Sequence, residues 1–419
     1  MSHRIGILAL LGAASSAWAA EGWRADPKVV AELEKKRAGV MYREEGVPKY
    51  TLPDPLARGD GSRVGSAKEW EGGQRQRTLD LFATNVYGKS PAKPAKVTFD
   101  VISVDDAAMG GKAVHKRVRI TSYDAAGKSF AFEASLIAPK GAKGPAPAFV
   151  MINNRPVSSA DPTRAQKNGF WPAEEIVARR YATAVFRTGD VDPDEDGPAA
   201  RARGVRGVWP GGGGRVADGD AWGTIGAWAW GASRVLDWLE TEPAVDAKRV
   251  AVIGHSRGGK TALWAGAQDT RFSIAISSCS GEGGASLSRR RLGERVANLN
   301  KSFPFWFCGN YKKFDGKEDE LPVDHHQLIA LMAPRAVAVG SADQDLWADP
   351  RGEFLSVANA GPVFGLYGLP TISADEMPTI DTPLNRGHLH YHVRTGVHNL
   401  TPGDWGMYMD FARGVWGGQ

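Results

Sequence analysis

A chain of 419 residues with 42% hydrophobic and 24% charged content is long enough for one large α/β domain or two ordinary ones, and this balance excludes a disordered polypeptide. The formal charge of +5 is a mild excess that suits contact with an acidic polymer, and no nucleic-acid partner is expected. Two cysteines, Cys279 and Cys308, are too few for a disulfide scaffold. Whether they pair or stand as two buried thiols is left open, because sequence gives no distance between them.

Residues 1–20 carry Arg4, the apolar run "IGILALLGAA" and the small-residue end "AWAA", the three-part layout of a secretory signal cut after Ala19 or Ala20. The run is too short to span a bilayer and no later stretch reaches that length, so the expectation is an exported monomer, periplasmic or secreted, free of the membrane once the signal is removed. Residues 21–95 read as an arm with helices in "PKVVAELEKKRAG" and "AKEWEGGQRQRTLDLFATNVYG", packed on a catalytic domain over 96–419. Three runs with β-type alternation open that domain: "KVTFDVISV", "HKRVRITSYD" and "SFAFEASLIAP" predict antiparallel strands.

From residue 148 the pattern changes to short apolar runs between helical segments, as in "AFVMIN", "YATAVF", "RVAVIG", "FSIAISS" and "RAVAVGS". Such runs predict mostly parallel strands buried on both faces. In "DAWGTIGAWAWGASRVLDWLETEP", Ile225, Trp228, Ala229, Ala232, Val235, Leu236 and Leu239 recur at helical spacing, and Pro243 closes the helix. Its tryptophans read as core. The loop "DVDPDEDGPAARARGVRGVWPGGGGRVADGD" is long enough to suggest a function of its own.

Gly254, His255, Ser256, Arg257 and Gly258 fit G-x-S-x-G between a strand and a helix. In such an elbow the glycines permit a tight turn that lifts the serine hydroxyl clear of the sheet, and the following N–H faces a developing oxyanion. A plain strand-to-helix turn is the simpler alternative. An acid and a histidine must follow in the order Ser, Asp, His. The loop "ADQDLWADP" offers Asp343, Asp345 and Asp349; Asp349 precedes Pro350 and reads as a helix cap, which leaves Asp345 first and Asp343 behind it. Among the histidines of "RGHLHYHVRTGVHNLTPGDW", the alternating His388, His390 and His392 suit one strand face, with a metal site or polar neighbours as competing explanations. His398 falls in the loop before the last helix, where the base of such a hydrolase sits.

The stretch "WGTIGAWAWGASRVLDWLETEPAVDAKRVAVIGHSRGGKTALWAGAQDTRF", with "SADQDLWADPRGEF" and "VRTGVHNLTPGDW", closely resembles the glucuronoyl esterases of carbohydrate esterase family 15, bacterial branch. The resemblance implies an α/β-hydrolase fold, with a mostly parallel central sheet, antiparallel N-terminal strands and helices on both faces in a three-layer αβα sandwich. It implies cleavage of the ester between 4-O-methyl-glucuronic acid of glucuronoxylan and a lignin alcohol, without metal or organic cofactor. Carried onto this chain, it makes Ser256 the nucleophile, His398 the base and Asp345 the acid. Arg257 would stabilise the oxyanion, Lys260 and Glu294 would bind sugar hydroxyls, and Trp347 would wall the ring. For Arg257 and Lys260 the plainer reading is a solvated helix face, for Glu294 an ion pair with a nearby arginine, and for Trp347 a core aromatic. Ser302 stands where some members use a glutamine, and Cys279 where fungal members place the acid, with Glu282 three residues on. An acetyl xylan esterase, an exported peptidase and a non-catalytic carbohydrate-binding relative remain as competing functions.

Overall fold

Short apolar runs without polar alternation need cover on both faces. The computed structural model, which describes residues 22–141, 144–211 and 219–417, provides it. The expected signal at 1–20 lies outside the described residues, as do positions 212–218 of the glycine-rich loop. The strands are β1 (Lys96–Asp105), β2 (Ala113–Tyr123), β3 (Ser129–Pro139), β4 (Ala146–Asn153), β5 (Ala182–Arg187), β6 (Val245–His255), β7 (Ile274–Ser278), β8 (Ala336–Ala342), β9 (Leu384–Arg386) and β10 (Leu389–Arg394). They form one sheet in the order β1-β2-β3-β5-β4-β6-β7-β8-β10-β9. Antiparallel pairing joins β1, β2, β3 and β5, and β9 pairs antiparallel with β10 at the far edge. The strands from β5 to β10 in that order run parallel.

Successive residues of a strand point to opposite faces, and β4 shows why its run is apolar throughout. Val150 and Ile152 join one core with Trp228, Leu236, Trp264 and Phe354, which belong to the helices Thr224–Leu239, Arg257–Gln268 and Pro350–Gly365. Phe149 and Met151 join the other, with Ile176, Trp405 and Tyr408 from the helices Ala173–Ala178 and Pro402–Trp416. The result is the three-layer α/β-hydrolase arrangement. The N-terminal arm adds Trp23, Tyr42, Leu56, Trp70 and Phe82 to the first core. Its helix Pro27–Lys36 starts where the Asp26 carboxylate accepts from Lys28 N at 2.8 Å.

The histidine-rich strand differs from its sequence reading. His388 lies just outside β10, and only His390 and His392 are buried on it. A carboxylate does accompany them. His390 Nδ1 meets Asn385 Oδ1 at 2.7 Å, His390 Nε2 meets His392 Nδ1 at 2.8 Å, and His392 Nε2 meets Asp404 Oδ1 at 2.9 Å. With every ring nitrogen of this pair engaged, polar neighbours rather than a metal account for them. Asp404 also accepts from Arg394 Nε at 2.8 Å and from Thr401 N at 2.8 Å, while Thr401 Oγ1 caps the last helix. Arg394 in turn donates to Val397 O at 3.0 Å and Asn399 O at 2.6 Å, on either side of His398.

Burial alone would raise the pKa of Asp404, but His392 and Arg394 hold it below the ordinary carboxylate range. Its contribution to stability is therefore present at neutral pH and fades as the pH falls through that range. Asp404→Ala would leave the buried Arg394 guanidinium without its carboxylate, a loss of about 3–5 kcal/mol. Chemical denaturation at pH 7 should show that drop, and a change within experimental error would refute the anchoring role.

Candidate active site

The serine elbow is a steric construction. Ser256 has φ 58° and ψ −126°, a backbone region that non-glycine residues enter at a cost of about 1–3 kcal/mol. A Cβ on Gly254 would lie 2.0 Å from Gly258 O, and one on Gly258 would lie 2.8 Å from Asn154 Oδ1. Gly254 therefore leaves no room for a side chain against backbone, whereas at Gly258 the Asn154 side chain would have to give way. Ser256 N donates to Ser278 O at 2.8 Å, which ties the turn to β7. The helix Arg257–Gln268 starts at the next residue, so its positive end faces the site.

His398 Nδ1 meets Asp345 Oδ2 at 2.6 Å, with Asp345 buried and the imidazole 37% exposed. The ring packs 4.4 Å from that of His255, the residue before the serine. Burial, then the neighbouring His398, pushes the His255 pKa well down, so His255 sits there as a neutral ring. Among the described residues no hydrogen bond joins His398 to Ser256, a looseness common in ligand-free hydrolases. The competing acids are engaged elsewhere. Asp343 accepts from Gly396 N at 2.6 Å and pins the histidine loop. Glu282 accepts from Ser288 Oγ at 2.6 Å and Tyr311 OH at 2.8 Å, and burial pushes its pKa up to about 7. Asp349 caps the helix Pro350–Gly365 and pairs with Arg290 at 2.8 Å. Cys279 and Cys308 are free thiols, both buried.

Arg257 does not project into solvent. Its guanidinium pairs with Asp194 and lies 4.8 Å from the Trp306 ring centroid and 5.5 Å from that of Phe303. These two rings stack at 3.7 Å, and Trp306 Nε1 donates to the other Asp194 oxygen at 2.7 Å. One carboxylate thus orients both the cation and its aromatic bed, and contact with the rings contributes about 0.5–1 kcal/mol or more.

Lys260, Glu294 and Trp347 meet although they lie on three separate segments. Lys260 Nζ donates to Ser280 O at 2.6 Å, to Glu282 O, and to Glu294 Oε2 at 3.0 Å. Trp347 Nε1 donates to Glu294 Oε1 at 3.1 Å. An ammonium has three protons, so Lys260 reaches a ligand only by exchanging one of these acceptors. Glu294, with lone pairs left over, is the freer contact. Its ion pair is with Lys260 and not with an arginine. Arg37 of the N-terminal arm lies 3.9 Å above the half-buried Trp347 ring. Ser302 is exposed at the end of the helix Val296–Ser302.

A family model described as glucuronyl esterase, fungi, matches residues 217–368. A carbohydrate esterase of an unknown prokaryotic organism is 39% identical over 417 residues, 93% of this chain and 94% of that one. The solved glucuronoyl esterase from Solibacter usitatus is 41% identical, covering 89% of this chain and 100% of its own with a TM-score of 0.82. The chain belongs to the glucuronoyl esterases of carbohydrate esterase family 15. Another solved member of the family, a promiscuous esterase from the marine bacterial metagenome, is 38% identical over 90% of this chain and 100% of its own, with a TM-score of 0.79.

Sequence reasoning missed Asp194, Trp306, Arg37 and Glu353. Asp194 was within reach as one acid of "DVDPDED", but nothing there separates it from Asp192, which makes a buried pair with Arg206 at 2.7 Å. Glu353 accepts from Ser280 N at 2.7 Å, Gly281 N at 2.9 Å and Ser341 Oγ at 2.6 Å, and so holds the segment whose carbonyls bind Lys260.

Burial, opposed by these donors and reinforced by nearby Asp345, pushes the Glu353 pKa up to about 8. A carboxyl whose pKa is higher folded than unfolded stabilises the protein at low pH, and that contribution is lost as the pH rises toward 8. Replacing it by the neutral isostere, Glu353→Gln, should flatten this loss by at least about 1.4 kcal/mol, the equivalent of one pKa unit. Denaturation midpoints taken across that pH range test it, and parallel curves for the two proteins would rule it out.

Proposed function

We propose that this glucuronoyl esterase hydrolyses the ester between 4-O-methyl-glucuronic acid of glucuronoxylan and a lignin alcohol. Ser256 attacks the ester carbonyl while His398 takes its proton and Asp345 stabilises the imidazolium. The intermediate collapses, the alcohol leaves with the proton from His398, and water repeats the sequence to release the uronic acid. The observation that carries this reading is that the His398–Asp345 pair packs on His255, the neighbour of Ser256, while Lys260 of the serine helix and Trp347, two residues after Asp345, both bond Glu294.

Arg257 faces the oxyanion with its backbone N–H at the helix start and with a guanidinium kept in place by Asp194 and Trp306. One such donor is worth about 100- to 1,000-fold in rate. Glu294 accepts from hydroxyls of the glucuronoyl ring, Trp347 walls it, and Lys260 supports both through Glu294. A site built on the acid side leaves the alcohol side permissive. Export through residues 1–20 fits a polymer substrate outside the cytoplasm. Among the described residues no helix is long and apolar enough to cross a membrane.

Asp345→Asn should lower kcat about 10⁴-fold by fixing the wrong tautomer of His398. Near-normal turnover in that variant would move the acid role to Asp343 or Glu282. Hydrolysis of methyl, allyl and benzyl glucuronate esters should proceed at similar kcat/KM. Activity on acetylated xylan with none on these esters would defeat the assignment while leaving the fold untouched.

A further inference from the structure

We propose that Cys279, Asp345 and His398 form a binding site for a thiophilic divalent cation of the zinc type, and that its occupation switches the esterase off. One donor atom from each of the three lies within 4.8 Å of the other two, and among the described residues this is the cluster in which thiol, carboxylate and imidazole converge. These are the three ligand types of zinc, and its bond lengths in a tetrahedral site put neighbouring donors about 3.5 Å apart. Closure therefore needs movement of about 1 Å, which the partly exposed His398 on its loop can supply.

Cys279 is already placed for the role. It sits at the end of β7 in a left-handed conformation, φ 48°, with its N–H bonded to Gly340 O at 2.7 Å. Its sulfur makes only a weak contact of 3.9 Å with Asn399 O. The histidine pair of β10 and the second cysteine are closed by comparison. His390 and His392 have no free ring nitrogen, and Cys308 Sγ points at Thr84 O at 3.5 Å.

Binding releases the thiol proton to solvent and exchanges the His398–Asp345 hydrogen bond for two metal–ligand bonds. If Nδ1 ligates, its proton must move to Nε2, which then cannot accept one from Ser256. If Nε2 ligates, the lone pair needed for catalysis is occupied. In either case no imidazole lone pair is left to take the Ser256 proton, so inhibition follows from each geometry. Inhibition rests on the catalytic reading given above, whereas metal binding does not.

The experiment uses the full chain with zinc and, as a spectroscopic probe, cobalt(II). Zinc should inhibit hydrolysis of a methyl glucuronate ester, chelation should restore the rate, and cobalt should give a thiolate-to-metal charge-transfer band. Cys279→Ser should lose the band and raise the zinc concentration for half-inhibition by about tenfold or more, each variant being compared with its own metal-free rate. Cys308→Ser should keep both responses. Absence of the band in the unaltered protein, or equal zinc sensitivity in Cys279→Ser, overturns the site. A chain without activity on any glucuronate ester would overturn the catalytic reading alone, and the cobalt band would still decide the metal site.

Discussion

The approach of Gly254 to Gly258 is the constraint on which the rest depends. The missing side chain of Gly254 allows β6 to turn into its helix so abruptly that Ser256 stands at positive φ above the sheet edge. Tight packing of one backbone against another keeps that turn from relaxing. The consequence is that the Ser256 hydroxyl proposed as nucleophile, the first N–H of the helix and the guanidinium of Arg257 share one origin. The remaining groups come to this fixed point from the loops after β7, β8 and β10, at the carboxyl ends of parallel strands, where open α/β sheets collect their ligands.

Two buried carboxyls act as supports for those loops. Asp404 holds Arg394, whose guanidinium clasps the carbonyls around His398, and Glu353 holds the backbone at Ser280 and Gly281, whose neighbours receive Lys260. At Glu353 a polar side chain takes up buried backbone N–H groups that would otherwise lack partners, which costs roughly 1–3 kcal/mol per group. The position of Lys260 is thus borne by the same bonds that satisfy the interior.

Much of this was readable from the chain because periodicity reports burial. The alternating runs became β1 to β3, the continuous apolar runs became the parallel strands, and the tryptophan-rich segment became the helix Thr224–Leu239. The period of two also misled, since His388 continues the alternation one residue beyond the strand. Choice among Asp343, Asp345 and Glu282 could not be read from spacing, because it turns on which way each carboxylate points. Asp194 could not be singled out from its neighbours, nor Arg37 noticed, for a related reason. They reach Arg257 and Trp347 across long stretches of chain, and no local pattern records such a contact.

The two cations that open the serine helix are each already matched: Arg257 with Asp194, and Lys260 with Glu294. In the proposed mechanism, ester cleavage turns a neutral group into an anion beside them. An unmatched pair of positive charges would grip that newly formed acid far more firmly than the ester it came from, and the enzyme would clog on its own product. Pre-neutralised cations keep their directional hydrogen bonds while giving up most of their net field, so the uronic acid meets little electrostatic reason to stay.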